Sequence, residues 1–382
     1  MHTYDIAVIG LGAMGGAAAY HCARRGQRVL GLDANPPYHT LGSSHGATRA
    51  IRETYFESPD YVPLARRSHA LWRELETETG SSLLSTRGAV YVGPRGHGML
   101  QGVRTAAQRH RLDLEPLSHD DMARRFPGFT LPQGWEGLFE ANGCVLMAEP
   151  CLQAHWDLAR RHGADLRFGV AAVAWSQAAD GSIVIETEAG DLKARGAIVT
   201  VGPWACDLLR ALDLPLSGRR ITVVHFDAAD PSLYDASSMS VYFWATPAGI
   251  FAGFPHFDGE GVKIMRHDTG EICTPETARR TISRADVAEV AAFADKYMPY
   301  ANGRVRKALI GLYTMTPDNH FVIDRHPGFR NLVYATGCSG HGFKFAPVVG
   351  EILADMVVDG RTRHAIDFLG ADRFRHAAAI CA

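Results

Sequence analysis

The sequence lacks several features that would place a protein in a class at once. Its 382 residues contain no uninterrupted apolar run of membrane-spanning length, so we predict no membrane segment. The 39 Lys and Arg residues nearly balance the 41 Asp and Glu residues, and a formal net charge of −2 argues against nucleic acid as a partner. The N-terminus, Met1 to Asp5, has neither the basic region nor the cleavage site of a signal peptide, so we expect a cytoplasmic protein.

Cysteine is too sparse and too scattered to organise a disulfide framework. The seven cysteines are odd in number and include no Cys-x-x-Cys pair. They stand at Cys22, Cys144, Cys151, Cys206, Cys273, Cys338 and Cys381. This pattern is typical of free thiols in a reducing compartment, and no metal-ligand spacing accompanies it. We therefore predict neither structural disulfides nor a metal site.

The composition is that of a globular protein, with 46% hydrophobic and 21% charged residues. A chain of 382 residues exceeds one ordinary domain, so two domains are expected.

The N-terminal segment predicts a strand–turn–helix–strand unit. Asp5–Ile9 is apolar and β-branched, as a buried parallel strand requires, and the glycine-rich stretch 10–16 follows it. An alanine-rich helix is predicted over 17–25 and a second strand over 28–33. This unit is the usual opening of a doubly wound α/β sheet.

The glycine-rich turn carries a dinucleotide-binding fingerprint. Gly10 permits the tight turn, Gly12 lets the backbone approach a pyrophosphate, and Gly15 lets helix and strand pack closely. Asp33 ends the second strand, where its carboxylate can accept hydrogen bonds from ribose hydroxyls and disfavours a 2′-phosphate. A glycine-rich turn without a ligand is the alternative interpretation. The fingerprint alone does not distinguish FAD from NAD.

The rest of the chain alternates between two kinds of pattern. Further helices are predicted at 62–79, 152–162 and 346–358, and single strands at 88–92, 165–170, 182–187, 196–201, 321–324 and 332–336. Between 219 and 266 several strands follow one another without helices, which predicts an antiparallel sheet. The chain therefore leaves the nucleotide-binding domain and returns to it.

Five segments carry a resemblance to a known family. They are GSSHGATR at 42–49, TYFESPDYVPLARRSHALW at 54–72, EANGCVLMAEPC at 140–151, PDNHFVIDRHP at 317–327 and SGHGFKF at 339–345. With the fingerprint they span nearly the whole chain, and the first and last are highly specific. The sequence resembles the monomeric sarcosine oxidase and N-methyltryptophan oxidase family, flavoenzymes of the D-amino-acid oxidase type.

The resemblance implies FAD as cofactor and a two-domain α/β fold. A doubly wound, glutathione-reductase-like FAD-binding domain would comprise 1–84, 146–212 and 319–382, and an antiparallel-sheet substrate domain 85–145 and 213–318. The implied cofactor-binding residues are Gly10, Gly12, Met14, Gly15, Asp33, Ala34, Ser43, Ser44, Thr48, Arg49, Gly202, Trp204, Gly340, His341, Gly342 and Lys344. A monomer is also implied.

The resemblance further implies a clamp for a substrate carboxylate. Arg52 offers a planar fork and Lys344 a point charge, and Glu57 can orient Arg52. Tyr313, Phe243 and Ala252 are the other implied substrate-binding positions. The alternative for Lys344 is a lysine at a helix start with its ammonium in solvent.

Four residues are implied to act on the flavin or on oxygen: His45, Arg49, Lys263 and His267. Lys263 and His267 are four apart on a predicted strand, so they point to the same side, and a cation beside the flavin eases reduction of O2. Without the resemblance, both would be read as exposed strand residues. Arg49 in a surface ion pair and His45 in a turn are the corresponding alternatives.

Three positions depart from the family. Gly311 stands where these enzymes usually carry the cysteine bonded to the flavin, so we predict noncovalent FAD. Cys338 lies in the flavin motif but does not match that position. Ala252 replaces a tyrosine and Phe243 a methionine in the pocket, and we expect Ala252 to admit a bulkier substrate than sarcosine.

The implied function is FAD-dependent oxidation of the C–N bond of a secondary amino acid, either N-methyl or cyclic. The imine product would hydrolyse to an aldehyde or keto acid and an amine, and O2 would be reduced to H2O2. Three alternatives stay open: a flavin dehydrogenase with another acceptor, a pathway-specific amine oxidase with a bulkier substrate, and a flavin-bearing binding protein without turnover.

Overall fold

The computed structural model describes residues 3–257 and 259–375. Met1, His2 and Cys381, on which some of the predictions depend, lie outside the described residues. The strands are β1 Thr3–Ile9, β2 Val29–Asp33, β3 Thr48–Ile51, β4 Leu84–Thr86, β5 Ala89–Pro94, β6 Glu115–Leu117, β7 Trp135–Glu140, β8 Cys144–Met147, β9 Asp165–Phe168, β10 Ala172–Gln177, β11 Ile183–Thr187, β12 Leu192–Val199, β13 Ser217–Phe226, β14 Val241–Thr246, β15 Gly249–Phe254, β16 Val262–Arg266, β17 Glu271–Ile272, β18 Val305–Met315, β19 Val322–Arg325 and β20 Leu332–Thr336.

The α-helices are α1 Ala13–Arg24, α2 Val62–Thr79, α3 Gly98–His110, α4 His119–Arg125, α5 Ala148–Arg161, α6 Ala205–Leu208, α7 Arg284–Tyr297 and α8 Ala346–Val358. Short 3-10 turns lie at Pro59–Tyr61, Gly202–Trp204, Arg210–Leu212, Pro231–Leu233, Phe343–Phe345 and Asp367–Leu369. None of the described helices is long and apolar enough to cross a membrane.

The first sheet is the predicted doubly wound one. It has eight strands, with β1 parallel to β2 and to β12, and β2 parallel to β9. The second half of β12 pairs in parallel with β20, so a strand from near residue 332 completes a sheet that begins at residue 3. Every strand of this sheet lies within the segments predicted for the first domain.

The second sheet has nine strands and is almost wholly antiparallel. Its order is β17-β13-β16-β15-β14-β5-β7-β6, with β18 also paired to β13. Only β14 and β5 run parallel. Its strands lie within 89–140 and 217–315, and a three-stranded sheet of β3, β8 and β4 lies where the chain crosses between the two large sheets.

Several predicted boundaries are wrong by a few residues. Helix α1 begins at Ala13 and not at residue 17, because Gly15 and Gly16 belong to it and lie buried, Gly15 against the Gly10 turn and Gly16 against Trp156 of α5. Helix α5 begins at Ala148, and strand β12 begins at Leu192, before the apolar run from which the strand was predicted, because Lys193 and Arg195 interrupt its first half. The helices at 62–79 and 346–358, the strand at 332–336 and the succession of strands between 219 and 266 are confirmed.

Two histidines are buried in the helical layer, and one ring nitrogen of each has no hydrogen-bond partner among the described residues. His21 on α1 and His155 on α5 are 4% and 1% exposed, and the Nε2 atom of each lacks a partner among the described residues. Burial lowers the pKa of His21 to about 4 and that of His155 to about 3. Both rings are therefore neutral in the folded protein at pH 7.

We expect the free energy of unfolding to fall as the pH drops from about 6.5 to about 4, because each ring then binds a proton only when the chain unfolds. Each histidine contributes a slope of about 1.4 kcal/mol per pH unit in this window. Urea unfolding between pH 7.5 and 4.5 measures it. His155→Leu should reduce the slope by about one proton. An unchanged slope in His155→Leu would contradict this account.

Candidate active site

A cavity of about 590 Å³ lies between the carboxyl ends of β1 and β2 and one face of the nine-stranded sheet. This is the edge at which open α/β sheets bind their ligands. The predicted site residues that line it are Gly10, Gly12, Met14, Asp33, Ala34, Ser43, Ser44, His45, Arg49, Arg52, Gly202, Trp204, Phe243, Ala252, Lys263, His267, Tyr313, Gly340, His341, Gly342 and Lys344. Gly15, Thr48 and Glu57 do not line the cavity but hold residues that do.

The glycine fingerprint shapes one end of the cavity. Gly10 has a φ of +89°, which favours glycine, and a Cβ added at Gly15 would lie 1.7 Å from the Gly10 carbonyl oxygen. The first turn of α1 contains no acidic residue, and its N-cap residue Gly12 provides no side-chain cap. The helix N-terminus therefore offers N–H groups and its positive dipole to an anion such as a pyrophosphate.

Asp33 and Ser44 brace this end. The Asp33 carboxylate accepts hydrogen bonds from the backbone N–H groups of Leu11 and Asn35, both at 2.9 Å. The Ser44 hydroxyl accepts one from Ala13 N–H at 3.1 Å. Both side chains thus fix the fingerprint turn and also line the cavity.

The segment 42–49 is hydrogen-bonded to strand β18. Ser43 donates to the Leu312 carbonyl at 2.6 Å, and Nε2 of His45 lies 2.9 Å from the Ile310 carbonyl. Since a carbonyl only accepts, Nε2 carries the proton and Nδ1 is bare. Nδ1 is buried and has no partner among the described residues, and burial, with Arg49 next, lowers the pKa of His45 to about 4.

The face of the nine-stranded sheet forms an apolar wall of the cavity. Phe243, Ala252, Met265, Val223 and Leu309 are directly opposed residues on five successive strands, and all five line the cavity. Directly opposed residues share one face of a sheet, so they form a continuous row. Ala252 contributes the smallest side chain in this row.

A second row of the same face carries charge. Lys263 lies opposite Phe254 on one side and His225 on the other, and all three line the cavity. Lys263 is 5% exposed and donates to the Thr48 carbonyl at 2.8 Å and to the Thr48 hydroxyl at 3.3 Å. Burial lowers the pKa of Lys263 well below its usual value, and the positive charges of Arg49 and Lys307 act in the same direction.

Arg52 is held inside an aromatic cage. Its guanidinium carbon lies 4.2 Å from the ring centroids of Tyr55 and Phe56 and 4.9 Å from that of Phe243. Its Nη2 donates to both carboxylate oxygens of Glu57 at 2.7 Å, while its buried Nε has no partner among the described residues. Burial by itself would raise the pKa of Glu57, but the positive charge of Arg52 outweighs this effect, and the pKa of Glu57 is lowered to about 2.

Lys344 lies on the same side of the cavity, in the 3-10 turn before α8. It is 7% exposed, and its ammonium donates to the His341 carbonyl at 2.8 Å and reaches the Tyr55 hydroxyl at 3.4 Å. Burial, then Arg52, lowers its pKa to about 7, although Glu57 opposes this. The alternative of a lysine with its ammonium in solvent is thereby wrong.

The half-buried His267 and the buried His341 complete the polar lining. Nδ1 of His267 lies 3.2 Å from the Tyr313 hydroxyl, and Nδ1 of His341 lies 2.6 Å from the Tyr55 hydroxyl. Burial lowers the pKa of His267 to about 4 and that of His341 to about 3, so both rings are neutral near pH 7. Burial also raises the pKa of Tyr313 to about 12.

Sequence reasoning missed several lining residues. Thr336, Met265 and His225 line the cavity, and Tyr55 contacts both Arg52 and Lys344. Tyr55 belongs to the motif at 54–72, and Met265 lies between Lys263 and His267 along the chain, two residues from each, so both could have been inferred. His225 had no sequence signal, because only the strand register places it beside Lys263.

The residues present fit FAD. The helix start, whose N-cap residue Gly12 has no side chain, suits a pyrophosphate, and the buried Thr336 hydroxyl and the bare Nδ1 of His45 are polar atoms of lining residues without a partner among the described residues. Five of the described Lys and Arg residues line the cavity, which suits a ring system that gains negative charge on reduction; they are Arg49, Arg52, Lys263, Arg280 and Lys344. Among the described residues no group of three or more His, Cys, Asp or Glu could hold a metal ion.

The fold and the cavity define a flavin-dependent oxidoreductase. Residues 5–356 match the family model for FAD dependent oxidoreductases. The chain is 38% identical over 375 residues to monomeric sarcosine oxidase of Bacillus sp. (strain B-0618), covering 97% of this chain and 96% of the relative. It is 35% identical over 362 residues to N-methyl-L-tryptophan oxidase of Salmonella newport (strain SL254), covering 94% and 95%.

A solved structure of NikD, described as an unusual amino acid oxidase essential for nikkomycin biosynthesis, superposes with a TM-score of 0.86 at 26% identity and covers 97% of this chain and 98% of that one. The chain belongs to the FAD-dependent monomeric sarcosine oxidase and N-methyltryptophan oxidase family. FAD is its cofactor, and it is an oxidoreductase.

Proposed function

We propose that this protein oxidises the C–N bond of a secondary amino acid, N-methyl or cyclic, and passes the electrons to O2 with formation of H2O2. The observation that carries the proposal is the pair of buried cations, Arg52 and Lys344, at one cavity wall. Among the described residues Glu57 is the one carboxylate paired with these two buried cations, which leaves positive charge for a substrate carboxylate. The names of the relatives support an amino acid substrate.

The proposed roles of the chain's segments follow the two large sheets. Residues 1–84, 146–212 and 319–382 would hold FAD, and residues 85–145 and 213–318 would provide the wall against which the substrate lies. The fingerprint residues, the 42–49 segment, Gly202, Trp204 and the 340–344 segment are the proposed cofactor contacts. The relatives named monomeric support a monomer.

The proposed mechanism begins with orientation of the substrate. The fingerprint turn and the 42–49 and 340–344 segments would hold FAD, which would supply a two-electron acceptor for a hydride equivalent from the carbon bonded to the amine and would pass the electrons to O2. Arg52 and Lys344 fix the carboxylate, and Glu57 keeps the Arg52 fork in place. The His267–Tyr313 pair borders the same space with neutral groups, and the amine reacts in its unprotonated form. Lys263 supplies positive charge where O2 is reduced.

The apolar row sets the substrate size. Ala252 lies between Phe243 and Met265, so the wall has a shallow recess flanked by larger side chains. We propose that this recess accepts a substituent bulkier than a single methyl group. The bulkier-substrate alternative and the proposed reaction are therefore compatible.

Anaerobic mixing with candidate substrates tests the proposal. Sarcosine, N-methyltryptophan, proline and pipecolate are compared with the corresponding amines that lack the carboxylate, and the flavin absorbance is followed. Bleaching by a carboxylated secondary amine but not by its decarboxylated partner supports both reaction and clamp. Absence of bleaching by every compound contradicts the proposal. Peroxide yield in air then separates the oxidase from the dehydrogenase alternative.

We further propose that FAD is held without a covalent bond. Gly311 lines the cavity, and a Cβ added there would meet nothing within 4 Å, so the position faces open space. Acid precipitation should leave the protein pellet colourless and the supernatant yellow. Gly311→Cys, for which the cavity has room, should retain flavin in the pellet, whereas Cys338→Ser should behave as the wild type. A yellow wild-type pellet would contradict noncovalent binding.

A further inference from the structure

Glu140 is a buried carboxylate to which the proposed mechanism gives no role. It ends strand β7 of the nine-stranded sheet, is 3% exposed and does not line the cavity. Moving a carboxylate out of water is costly unless hydrogen bonds replace the lost solvent. The groups that donate hydrogen bonds to Glu140 therefore indicate which part of the molecule it stabilises.

The two oxygens of Glu140 accept hydrogen bonds from two successive residues. Oε1 accepts from the Glu53 backbone N–H at 2.7 Å, and Oε2 accepts from the Thr54 backbone N–H at 3.0 Å. The Thr54 hydroxyl also donates to Oε2. These donors belong to the two residues that directly follow Arg52 along the chain. Glu140 therefore fixes the backbone immediately after Arg52.

The Thr54 carbonyl connects this fixed backbone to the Arg52 side chain. It accepts a hydrogen bond from Arg52 Nη1 at 3.2 Å, while Nη2 on the other arm of the guanidinium is paired with Glu57. The Tyr91 hydroxyl lies 3.2 Å from both the Thr54 carbonyl and Oε2 of Glu140, so its single proton lies between two acceptors. One arm of the guanidinium is thus held by Glu57 and the other by a carbonyl that Glu140 and Tyr91 keep in place.

Tyr91 also belongs to the surroundings of the guanidinium. Its ring stacks on Phe243, with ring centroids 5.5 Å apart and an interplanar angle of 15°. The guanidinium carbon of Arg52 lies 5.8 Å from the Tyr91 ring centroid and 4.9 Å from that of Phe243. The side-chain partners of Glu140 therefore all meet Arg52 or the aromatic rings around it.

We propose that Glu140 is a positioning residue for Arg52, because it fixes residues 53–54 so that the Thr54 carbonyl holds one arm of the guanidinium. This inference rests on the proposed function, in which Arg52 binds the substrate carboxylate. Arg52 directly follows β3 of the three-stranded sheet, whereas Glu140 and Tyr91 lie on β7 and β5 of the nine-stranded sheet. Glu140 thus joins the carboxylate clamp to the sheet that forms the apolar wall of the cavity.

Three substitutions test this role. Glu140→Gln keeps the size of the side chain, but each carboxylate oxygen accepts a backbone N–H, and an amide has only one oxygen. Its NH2 group must therefore face an N–H group, which displaces the backbone. Tyr91→Phe removes only the shared hydroxyl. Glu136→Gln is the matched control, because Glu136 is four residues away on the same side of β7 and is paired with Arg104 at 3.0 Å.

The first test measures carboxylate binding without turnover. The FAD-loaded protein is titrated with propionate, a carboxylate that has no amine to oxidise, and the change in flavin absorbance gives Kd. We expect Kd to rise about 10–100-fold in Glu140→Gln, because the guanidinium is misplaced. The rise in Tyr91→Phe should be about fivefold, as for the loss of one neutral hydrogen bond, and Glu136→Gln should match the wild type.

Two results of this titration overturn the inference. One is an equal Kd in the wild type and Glu140→Gln or, where that variant does not fold, an equal Kd in the wild type and Tyr91→Phe. The other is a wild-type protein that does not bind propionate, because the clamp itself would then be absent.

The second test separates positioning of Arg52 from a general loosening of the cavity. In Glu140→Gln, kcat/KM for an amino acid substrate should fall about 10–100-fold, whereas kcat/KM for its decarboxylated amine should stay near the wild-type value. An equal fall for both substrates overturns the inference, since a structural defect affects both alike. Because the propionate titration needs no turnover, failure of every amine to bleach the flavin would count against the proposed function alone.

Discussion

Lys263→Met is expected to slow the reaction of the reduced enzyme with O2 by about 10²–10³-fold, the loss typical when a preorganised positive group is removed from a charge-developing centre. Lys263 is buried in the cavity wall and is fixed by the Thr48 carbonyl. Methionine keeps the length and the apolar stem but removes the charge. Anaerobic bleaching by substrate should change little, since the carboxylate clamp lies elsewhere.

Stopped-flow mixing of reduced enzyme with oxygenated buffer measures this effect. Lys307→Met is the matched control, because this lysine lies two strands away in the same cross-strand row and is about one-third exposed, at 35%. It should retain the wild-type rate. An artificial electron acceptor should restore turnover of Lys263→Met. Equal oxygen rates in wild type and Lys263→Met would remove Lys263 from the oxygen reaction.

Arg52→Met is expected to raise KM for a carboxylated substrate by about 10²–10³-fold, because charge-assisted hydrogen bonds contribute about 1.5–3 kcal/mol each. The substitution also leaves Glu57 without its partner in a buried place, and that alone would destabilise the protein. The double variant Arg52→Met/Glu57→Gln removes this complication. Steady-state kinetics with an amino acid and with its decarboxylated amine then distinguish a loss of carboxylate binding from a loss of folded protein.

The double variant Arg52→Met/Glu57→Gln should affect substrate selectivity but not flavin binding. The double variant should lose selectivity for the carboxylated substrate while its flavin spectrum and its rate with the simple amine stay near those of the wild type. Lys344 adds a pH signature: because its pKa is lowered to about 7, substrate binding should weaken as the pH rises through that value. Lys344→Arg should abolish this limb. Unchanged KM in Arg52→Met/Glu57→Gln would rule out the clamp.

The sequence predicts the two-sheet architecture because the signals involved are local. The glycine fingerprint with its flanking strands, and the apolar helix at 346–358, follow directly from short-range patterns. The start of α1 is mispredicted because glycine disfavours helices, yet Gly15 and Gly16 must be small where α1 packs closely. Strand β18 escapes notice because Val305, Arg306 and Lys307 begin it with exposed and charged residues.

In the candidate site, too, residues within local motifs could be predicted, whereas residues placed by strand pairing could not. Arg52 and Lys344 were predicted from motifs and do line one cavity, although 292 positions separate them along the sequence. The even spacing of Lys263 and His267 predicts a shared side, and His267 continues the ladder by donating from its N–H to the Ile250 carbonyl at 2.7 Å. His225 depends on which strands pair and in which register, and no local pattern encodes that.

The return of the chain to its first sheet bears on how the protein is made. Helix α1 packs so closely against α8 that a Cβ added at Gly350 would lie 2.6 Å from the backbone of Ala17. Strand β20 and helix α8 leave the ribosome more than 300 residues after α1. During synthesis, the face of α1 that packs against α8 therefore stays uncovered until α8 has been made. The first half of the chain cannot form the complete nucleotide-binding site alone. Until strand β20 and helix α8 have been made, the new chain exposes this apolar face, and we expect a chain that stops before residue 346 to be unable to retain flavin.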